Sequence, residues 1–433
     1  KIIILDHHEA EDRLPECWHV INPKRKDDAS GLDMLAAVGV TFMVCVAINN
    51  RLRDRGFYKT KMMAEPNLKG LLDIVALGTV CDMVPLLGVN RLFVRAGFAT
   101  AYQAMNVGMR ALMSVAGISP PISTYDCGFV LGPRINAGSR VHKADLGAQL
   151  LSSDDTEVCK NIAWTLNDCN DKRKAIQQDM EAQAIAMVEE RGMSDAPFIL
   201  VDHEDWHPGL SGLVAGRLKE KYNKPACVVT YAYDLSGRKE GRGSGRSIPG
   251  VHIAQSFIDA RTAGILEKGG GHAMAGGFTI APDQVEALRE FLCEHITRQM
   301  ENTDTNVETV IDAVLTTRGI TTDLVELLQN SVGPFGQEQP EPVFMLENVR
   351  IHKADILGGS HIRVMMSDWE GGTRIKAMAF RSVDTPLGDA LLQAGTHAYN
   401  IIGQLKINEW QGRKTAEMHI VDASFSEDSR AVA

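Results

Sequence analysis

The run Ile2-Ile3-Ile4-Leu5, breaking into Asp6-His7-His8, constrains this chain more than any other stretch. Four apolar residues without alternation read as a strand buried on both faces, which calls for a parallel sheet covered by helices. Such a strand delivers an acid and two imidazoles to its C-terminal edge, where open α/β sheets bind ligands. A polar loop after a strand has the same composition, so the triplet alone leaves both readings open. A strand of this kind belongs inside a sheet, yet it starts at residue 1, so part of a domain is expected to be missing upstream.

A second candidate position lies in LLDIVALGTVCDMVPLL, residues 71–87, where Asp82 sits in a stretch that is almost wholly apolar, just before Pro85. A carboxylate in such surroundings is expected to be paired, protonated or metal-bound, because an unpaired buried charge is costly. The alternative is a cap for the next helix. Imidazole with carboxylate suits Mn²⁺, Zn²⁺ or Fe²⁺, whereas all-oxygen sites suit Mg²⁺ or Ca²⁺.

Three further clusters carry candidate anion contacts. Gly243-Ser244-Gly245-Arg246-Ser247 combines bare amides, two hydroxyls and a guanidinium, the equipment for holding a phosphate. Gly269-Gly270-Gly271-His272 runs into Ala273-Met274-Ala275-Gly276-Gly277, small residues that would let a helix start close against a ligand. Either cluster can also be a tight turn beside a packed helix. Arg134, Asn136 and Arg140 converge on a backbone if they lie on a loop leading into a helix, or pair within the domain.

The pattern shifts along the chain. Residues 1 to about 150 read as a parallel sheet with its covering helices. From 154 to 191 one long helix is expected, with Val158, Ile162, Leu166, Cys169, Ile176, Met180, Ala184 and Met187 on its apolar face, Asp154 with Glu157 capping it and Gly192 stopping it. It reads as a strut between domains or as a helix packed on one of them. Residues 195 to about 297 form a second α/β unit, and ENTDTN at 301–306 is a linker. Hairpin signals at Trp369-Glu370-Gly371-Gly372 and Trp410-Gln411-Gly412 make 307–425 a small β-barrel.

At 433 residues and 44% hydrophobic, the chain can bury more than one core, in about two to four domains. No apolar run reaches the roughly 18 residues of a membrane span, and no signal peptide is visible. Eight cysteines are scattered without a Cys-x-x-Cys pair, as expected of reduced thiols in a cytoplasm. The net charge of −10 argues against a general nucleic-acid coat but not against a local basic channel, and RKEGRGSGR, Arg238 to Arg246, holds four cations against one acid.

Asp6-His7-His8, VALGTVCDMVPL, LGPRINAGSR at 131–140, WHPG at 206–209, GSGRSIPG at 243–250, GGGHAMAGG at 269–277 and GPFGQEQPEP at 333–342 follow one another in the order found in the RecJ single-stranded-DNA exonucleases of the DHH phosphoesterase superfamily, which nearly the whole chain resembles. The resemblance implies an α/β chain: a partial parallel-sheet DHH domain over 1–150, a connecting helix over 151–193, a DHHA1-like domain over 194–300 and an OB-like barrel over 307–425. It implies a catalytic centre of Asp6, His7, His8 and Asp82, with His7 and Asp82 as ligands to one metal, Mn²⁺ or Mg²⁺. Asp6 would orient that shell and His8 would face the scissile phosphate. The family's two upstream aspartate-rich motifs do not occur here, so N-terminal truncation is expected. Arg134, Asn136, Arg140, Ser244, Gly245, Arg246, Ser247, Gly270, Gly271 and His272 become the substrate contacts. The function so implied is 5′-to-3′ hydrolysis of single-stranded DNA in repair and recombination, by a cytoplasmic monomer working beside a single-strand-binding protein or helicase. The direction of digestion rests on resemblance alone. A small-substrate relative acting on oligonucleotides or cyclic dinucleotides, and a non-catalytic DNA-binding remnant, stay open. Ser139 and Ser211 depart from the family's usual small apolar and aliphatic residues.

Overall fold

The computed structural model describes residues 1–10, 13–103, 105–301, 308–393, 395 and 397–426. The expected linker at 301–306 therefore lies, after Glu301, outside the described residues. The chain divides into two compact units, one comprising Lys1–Met105, Pro120–Gly128 and Glu308–Ala433, the other Asn106–Ser119 and Phe129–Val307.

In the first unit, β1 (Ile3–Leu5) pairs in parallel with β2 (His19–Ile21). Among the described residues these two strands are all the parallel sheet that 1–150 supplies, and Ile2 and Ile3 are exposed rather than buried. Helices make up most of the rest. Leu72–Cys81 packs on Gly88–Gln103 so closely that a Cβ on Gly97 would lie 2.2 Å from the Leu72 carbonyl oxygen.

The second unit is a three-layer α/β/α arrangement. Its strands β3 (Ile199–His203), β4 (Ala226–Tyr233), β5 (Lys239–Arg246), β6 (Lys268–His272) and β7 (Ala275–Ile280) form one sheet in the order β3-β4-β5-β7-β6, parallel between β3 and β4 and antiparallel elsewhere. Alternation sends Ile199, Val201, Ala226 and Val228 toward the helix Ser211–Tyr222 and the C-terminal half of the long helix. Phe198, Leu200, Cys227 and Val229 go to the opposite core with Phe257 and Leu288.

The long helix spans Thr156–Glu190 and lies wholly in this unit, packed on the helices Val107–Ala116, Gly132–Val141, Leu146–Ser152 and Ser211–Tyr222. It packs both on helices that precede it in the chain and on the helix and strand that follow it. Its N-cap is Asp155, not Asp154, and accepts from the Glu157 and Val158 amides. The buried face runs through Cys159, Ala163, Leu166, Cys169 and Asn170, so Val158 and Ile176 fall outside it. Gly192 ends the helix at φ 65°, a left-handed conformation open to glycine. Segment 269–277 is a β-hairpin of β6 and β7, where a helix start had been expected.

The first unit closes with β8 (Ala313–Leu315), β9 (Phe344–Leu357), β10 (His361–Asp368), β11 (Ile375–Ala379), β12 (Ala398–Trp410) and β13 (Arg413–Phe425). The order β10-β11-β13-β12-β9-β8 closes through a β9–β10 pairing, with the helix Pro386–Leu392 between β11 and β12, an OB-like ring. Gln411 and Gly412, at φ 49° and 76°, form the two-residue turn of the β12–β13 hairpin. The GPFGQEQPEP loop and the turn before it dock at the start of the helix Gly88–Gln103: Leu86 N donates to Gln337 O at 2.8 Å, Arg91 to Gly333 O at 3.4 Å and Arg95 to Asn330 O at 2.7 Å.

On β5 the glycines face the core. A Cβ on Gly243 would lie 2.0 Å from the Phe278 ring. Gly243→Ala should destabilise the protein by about 1–3 kcal/mol, the usual cost of overpacking, measured as a lower denaturant midpoint with unchanged slope.

Candidate functional site

The ladder between β1 and β2 continues one step past Leu5, because Asp6 N donates to Ile21 O at 3.0 Å. Beyond it the chain turns around the Asp6 carboxylate, whose Oδ1 accepts from His7 N at 2.8 Å, His8 N at 3.3 Å and His8 Nδ1 at 2.7 Å. Those bonds, the His8 ring first, hold the Asp6 carboxyl below its ordinary value. His7 is thereby left to point elsewhere, and its Nε2 lies 3.3 Å from Asp82 Oδ2.

Asp82 is the C-cap of the helix Leu72–Cys81, and its side chain is 40% exposed. The fully buried acid of that segment is Asp73, at 0% exposure, which the sequence reading passed over. Asp82 therefore sits at a rim, not in a core. One imidazole and one carboxylate converging there fit a divalent ion as two of its ligands. Among the described residues no group of three or more His, Cys, Asp or Glu completes a shell. Cys81 adds no thiolate: burial, with the Asp82 charge, pushes its thiol up to about 11, and its Sγ donates to Cys127 O.

The basic segment read from the sequence lies in the second unit. Of the four cations in RKEGRGSGR, three are neutralised: Arg238 by Glu267 at 2.7 Å, Lys239 by Glu204 at 2.5 Å and Arg242 by Glu240 at 2.8 Å. The basic patch expected there reduces to Arg246. Its Nη1 donates only to Gly245 O at 2.8 Å, and its head lies over the first turn of the helix Ser211–Tyr222, where a Cβ on Gly212 would come within 2.8 Å of Nη2.

Arg134 and Arg140 lie on the helix Gly132–Val141 itself, not on a loop before it, and Asn136 there is exposed. Arg134 donates to Asn167 Oδ1 at 3.1 Å and Val130 O at 2.8 Å; Arg140 donates to Gly209 O at 2.6 Å. The structure adds Arg173, which donates to Gln177 Oε1 and to Oδ1 of the buried Asn170, while its own Nε is buried without a partner. Burial lowers the pKa of Arg173, and the like charges of Arg140, Arg134 and Arg217 lower it further. Burial likewise lowers Arg246, with Arg140 acting in the same direction.

Arg134, Arg140, Arg173 and Arg246 thus form a set whose hydrogen-bond partners are all neutral. Asp171, the carboxylate that acts on Arg134 and Arg173, is itself paired with Lys174 at 3.1 Å. Partly buried like charges with neutral acceptors repel one another until an anion arrives. Arg173 and Arg217 escaped the sequence reading, although the polar residues Asn170, Arg173 and Gln177 recur on one face of the long helix.

Strand alternation explains the glycine clusters. Gly241, Gly243 and Gly245 face the core, and a Cβ on Gly245 would strike Phe257, Ile253 and Cys227, so Gly245 is a packing residue rather than part of a cradle. The opposite face presents three cross-strand rows: Arg242, Thr279 and Lys268; Ser244, Gly277 and Gly270; Arg246, Ala275 and His272. The middle row is nearly bare, since a Cβ on Gly270 would meet nothing within 4 Å and one on Gly277 would meet only Gly243 O at 3.5 Å. It forms a shallow trough flanked by cationic rows, with His272 exposed at one end. Gly271 faces away from it, at φ 139° against the Ala275 carbonyl, and belongs to the hairpin. Ser247 is 1% exposed and donates to Val251 O at 2.7 Å, so its hydroxyl is spent on the turn and unavailable to a phosphate.

The OB-like ring carries a third surface that the sequence did not disclose. Register sets His361 opposite Phe380, and His361, Phe380 and His419 stack edge to face with centroids 5.3 and 4.8 Å apart. Phe380 is half exposed, and Trp410 at the β12–β13 turn is 71% exposed. Exposed rings are the side chains on which OB-like folds can stack bases.

Comparisons with known proteins agree with this architecture. The family model for the RecJ OB domain matches residues 311–422, and that for the DHHA1 domain matches 195–298. The chain is 34% identical over 426 residues to the single-stranded-DNA-specific exonuclease RecJ of Escherichia coli, covering 97% of this chain and 72% of that protein. It is 32% identical to the Salmonella typhimurium protein of the same name, with the same coverage. The Thermus thermophilus RecJ structure in complex with Mn²⁺ superposes with a TM-score of 0.78 at 24% identity, over 98% of this chain and 58% of that one. Its Mg²⁺ complex gives 0.76 at 25% identity, over 97% and 59%.

The His8 contact gives a local test. A carboxyl NMR titration should place the Asp6 midpoint below its ordinary 3.8, and His8→Ala should move it back up. A carboxylate depressed in the folded state stabilises above its unfolded pKa and loses that contribution as pH falls through the folded value, so the difference between the proteins should vanish in strong acid.

Proposed function

The chain belongs to the RecJ family, and we propose that it hydrolyses single-stranded DNA from the 5′ end with a divalent-metal centre. The carrying observation is the set of Arg134, Arg140, Arg173 and Arg246, four guanidiniums with neutral partners in a protein of net charge −10. Such a set is complementary to a phosphodiester backbone, which supplies one negative charge per nucleotide.

His7 and Asp82 would hold the ion, Mn²⁺ or Mg²⁺, as two of its ligands. When bound, that ion supplies Lewis-acid polarisation of the phosphodiester and activation of water for in-line attack. Asp6 fixes the His8 ring by a 2.7 Å bond, which holds a second imidazole at the same edge, 77% exposed and able to face a substrate phosphate. In the second unit, Arg246 and the trough of Ser244, Gly277 and Gly270 receive the 5′ end, while Arg134, Arg140 and Arg173 hold the backbone behind it. Asn136 and His272, both exposed, line the same path. In the OB-like ring, the His361, Phe380 and His419 rings stack on bases without reading sequence, since every base offers a π-face. Work in DNA repair and recombination, as a cytoplasmic monomer beside a single-strand-binding protein or helicase, belongs to the same proposal. It rests on family membership, and the eight free cysteines accord with a reducing compartment.

Three substitutions test the assignment. Asp82→Ala should abolish metal-dependent cleavage and spare most single-strand affinity; a collapse of affinity with the fold intact would give Asp82 a different role. Arg246→Ala should cost about 1.5–3 kcal/mol for 5′-phosphorylated strands, the range of a charge-assisted hydrogen bond, and much less for 5′-hydroxyl strands. Arg173→Gln should weaken both equally and reduce the salt slope of binding by about 0.7 for each phosphate released.

A further inference from the structure

Ser211 lies in the WHPGLSG segment at the start of the helix Ser211–Tyr222 and is 4% exposed. Its Oγ makes two contacts, with Pro208 O at 3.0 Å and with Ser244 Oγ at 2.9 Å. A carbonyl oxygen only accepts, so the single Ser211 proton goes to Pro208. The proton between the two serines must then come from Ser244. The relay runs one way, from Ser244 to Ser211 to the Pro208 carbonyl, and it leaves Ser244 facing the bare trough with lone pairs and no donor. Arg246 leaves the same strand two residues later, on the same face, with its head at Gly212 beside Ser211.

We propose that Ser211 sets the end-group preference of the 5′-end site by holding Ser244 as an acceptor. A phosphate oxygen is itself an acceptor and gains nothing from Ser244 in this state. A 5′-hydroxyl is a donor and gains a hydrogen bond. Preference for a 5′-phosphate therefore comes from guanidinium charge alone, and the hydroxyl works against it, so the chain binds phosphorylated and unphosphorylated ends more evenly than its arginines dictate. Ser211 is a positioning residue here, since it acts through Ser244 and touches no substrate. The assignment rests on the trough as the site of the 5′ end.

The test is equilibrium binding by the full 433-residue chain, in excess EDTA to prevent hydrolysis, at one salt concentration. The probes are two oligonucleotides of identical sequence, one with a 5′-phosphate and one with a 5′-hydroxyl. Ser211→Ala frees the Ser244 proton and should raise the affinity ratio of phosphate over hydroxyl about fivefold, the worth of one neutral hydrogen bond. Ser211→Thr keeps the hydroxyl and should keep the original ratio. Ser244→Ala gives an opposite sign in the two backgrounds. In the otherwise unaltered chain it should weaken only the 5′-hydroxyl strand, whereas on top of Ser211→Ala it should weaken the 5′-phosphate strand. Loss of 5′-phosphate affinity on Ser244→Ala alone would show that Ser244 already donates, and would overturn the relay. If Arg246→Gln leaves both strands unaffected, the 5′ end binds elsewhere and the underlying site assignment falls. If Arg246→Gln discriminates while the serine substitutions do not, only the relay falls.

Discussion

Unpaired guanidinium charge in an acidic protein is the constraint on which the second unit depends. Fifty-five acids outnumber forty-five Lys and Arg, so neutralising partners are plentiful, and Arg238, Lys239 and Arg242 each have one. Arg134, Arg140, Arg173 and Arg246 instead take amide and carbonyl oxygens, which fix geometry without cancelling charge. Neutral acceptors leave the positive potential intact for a ligand, where a carboxylate would have to be displaced. The long helix provides much of this scaffold: Asn167, Asn170 and Gln177 hold the guanidinium heads while Cys159, Leu166 and Met180 anchor the helix in the core. One helix thereby both packs the core and positions the guanidiniums.

The glycines of β5 and β7 show how packing can make a binding surface. Phe257 and Phe278 fill the core so closely that Gly243, Gly245 and Gly276 have no room for a Cβ. Neighbouring atoms crowd Gly241, Gly269 and Gly271 as well, so six of the eight glycines in GRGSGR and GGGHAMAGG have a packing reason. The other two, Gly270 and Gly277, have open space above them and no steric reason to lack a side chain. Bareness without crowding leaves open space over this pair of strands, which the proposed site uses.

Much of this was legible in the sequence. Asp6-His7-His8 stands at a strand end, as the apolar run before it indicated, although that run is partly exposed, and His7 lies 3.3 Å from Asp82. Other features depend on long-range register. GGGHAMAGG has the small residues of a close helix start, but pairing of Gly270 with Gly277 makes it a hairpin. RKEGRGSGR looks basic because Glu204 and Glu267, which neutralise it, are distant in sequence. Asp82 and Asp73 lie in the same apolar segment, and only helix phase decides that Asp73 faces the core while Asp82 caps the end. Arg173 was missed because a lone arginine on a charged helix usually points to solvent. The buried Asn170 one turn before it was the available signal.

As proposed, the OB-like ring and the arginine set would each contribute recognition suited to an enzyme indifferent to sequence. Stacking on Phe380 and its flanking histidines depends on base faces, and guanidinium contacts depend on phosphates; neither reads a base edge. Discrimination is then left to what differs at the end of a strand, its charge and its hydrogen-bonding character. In the proposed site, charge would be read by Arg246, whose strength is fixed because a guanidinium does not titrate in the physiological range. Hydrogen-bonding character would be read by Ser244, whose role as donor or acceptor is not fixed by its own chemistry and must be imposed by a neighbour. A hydroxyl's direction is set most firmly when its partner's proton is already committed to a carbonyl, which is the condition that the buried Ser211 and the Pro208 oxygen create.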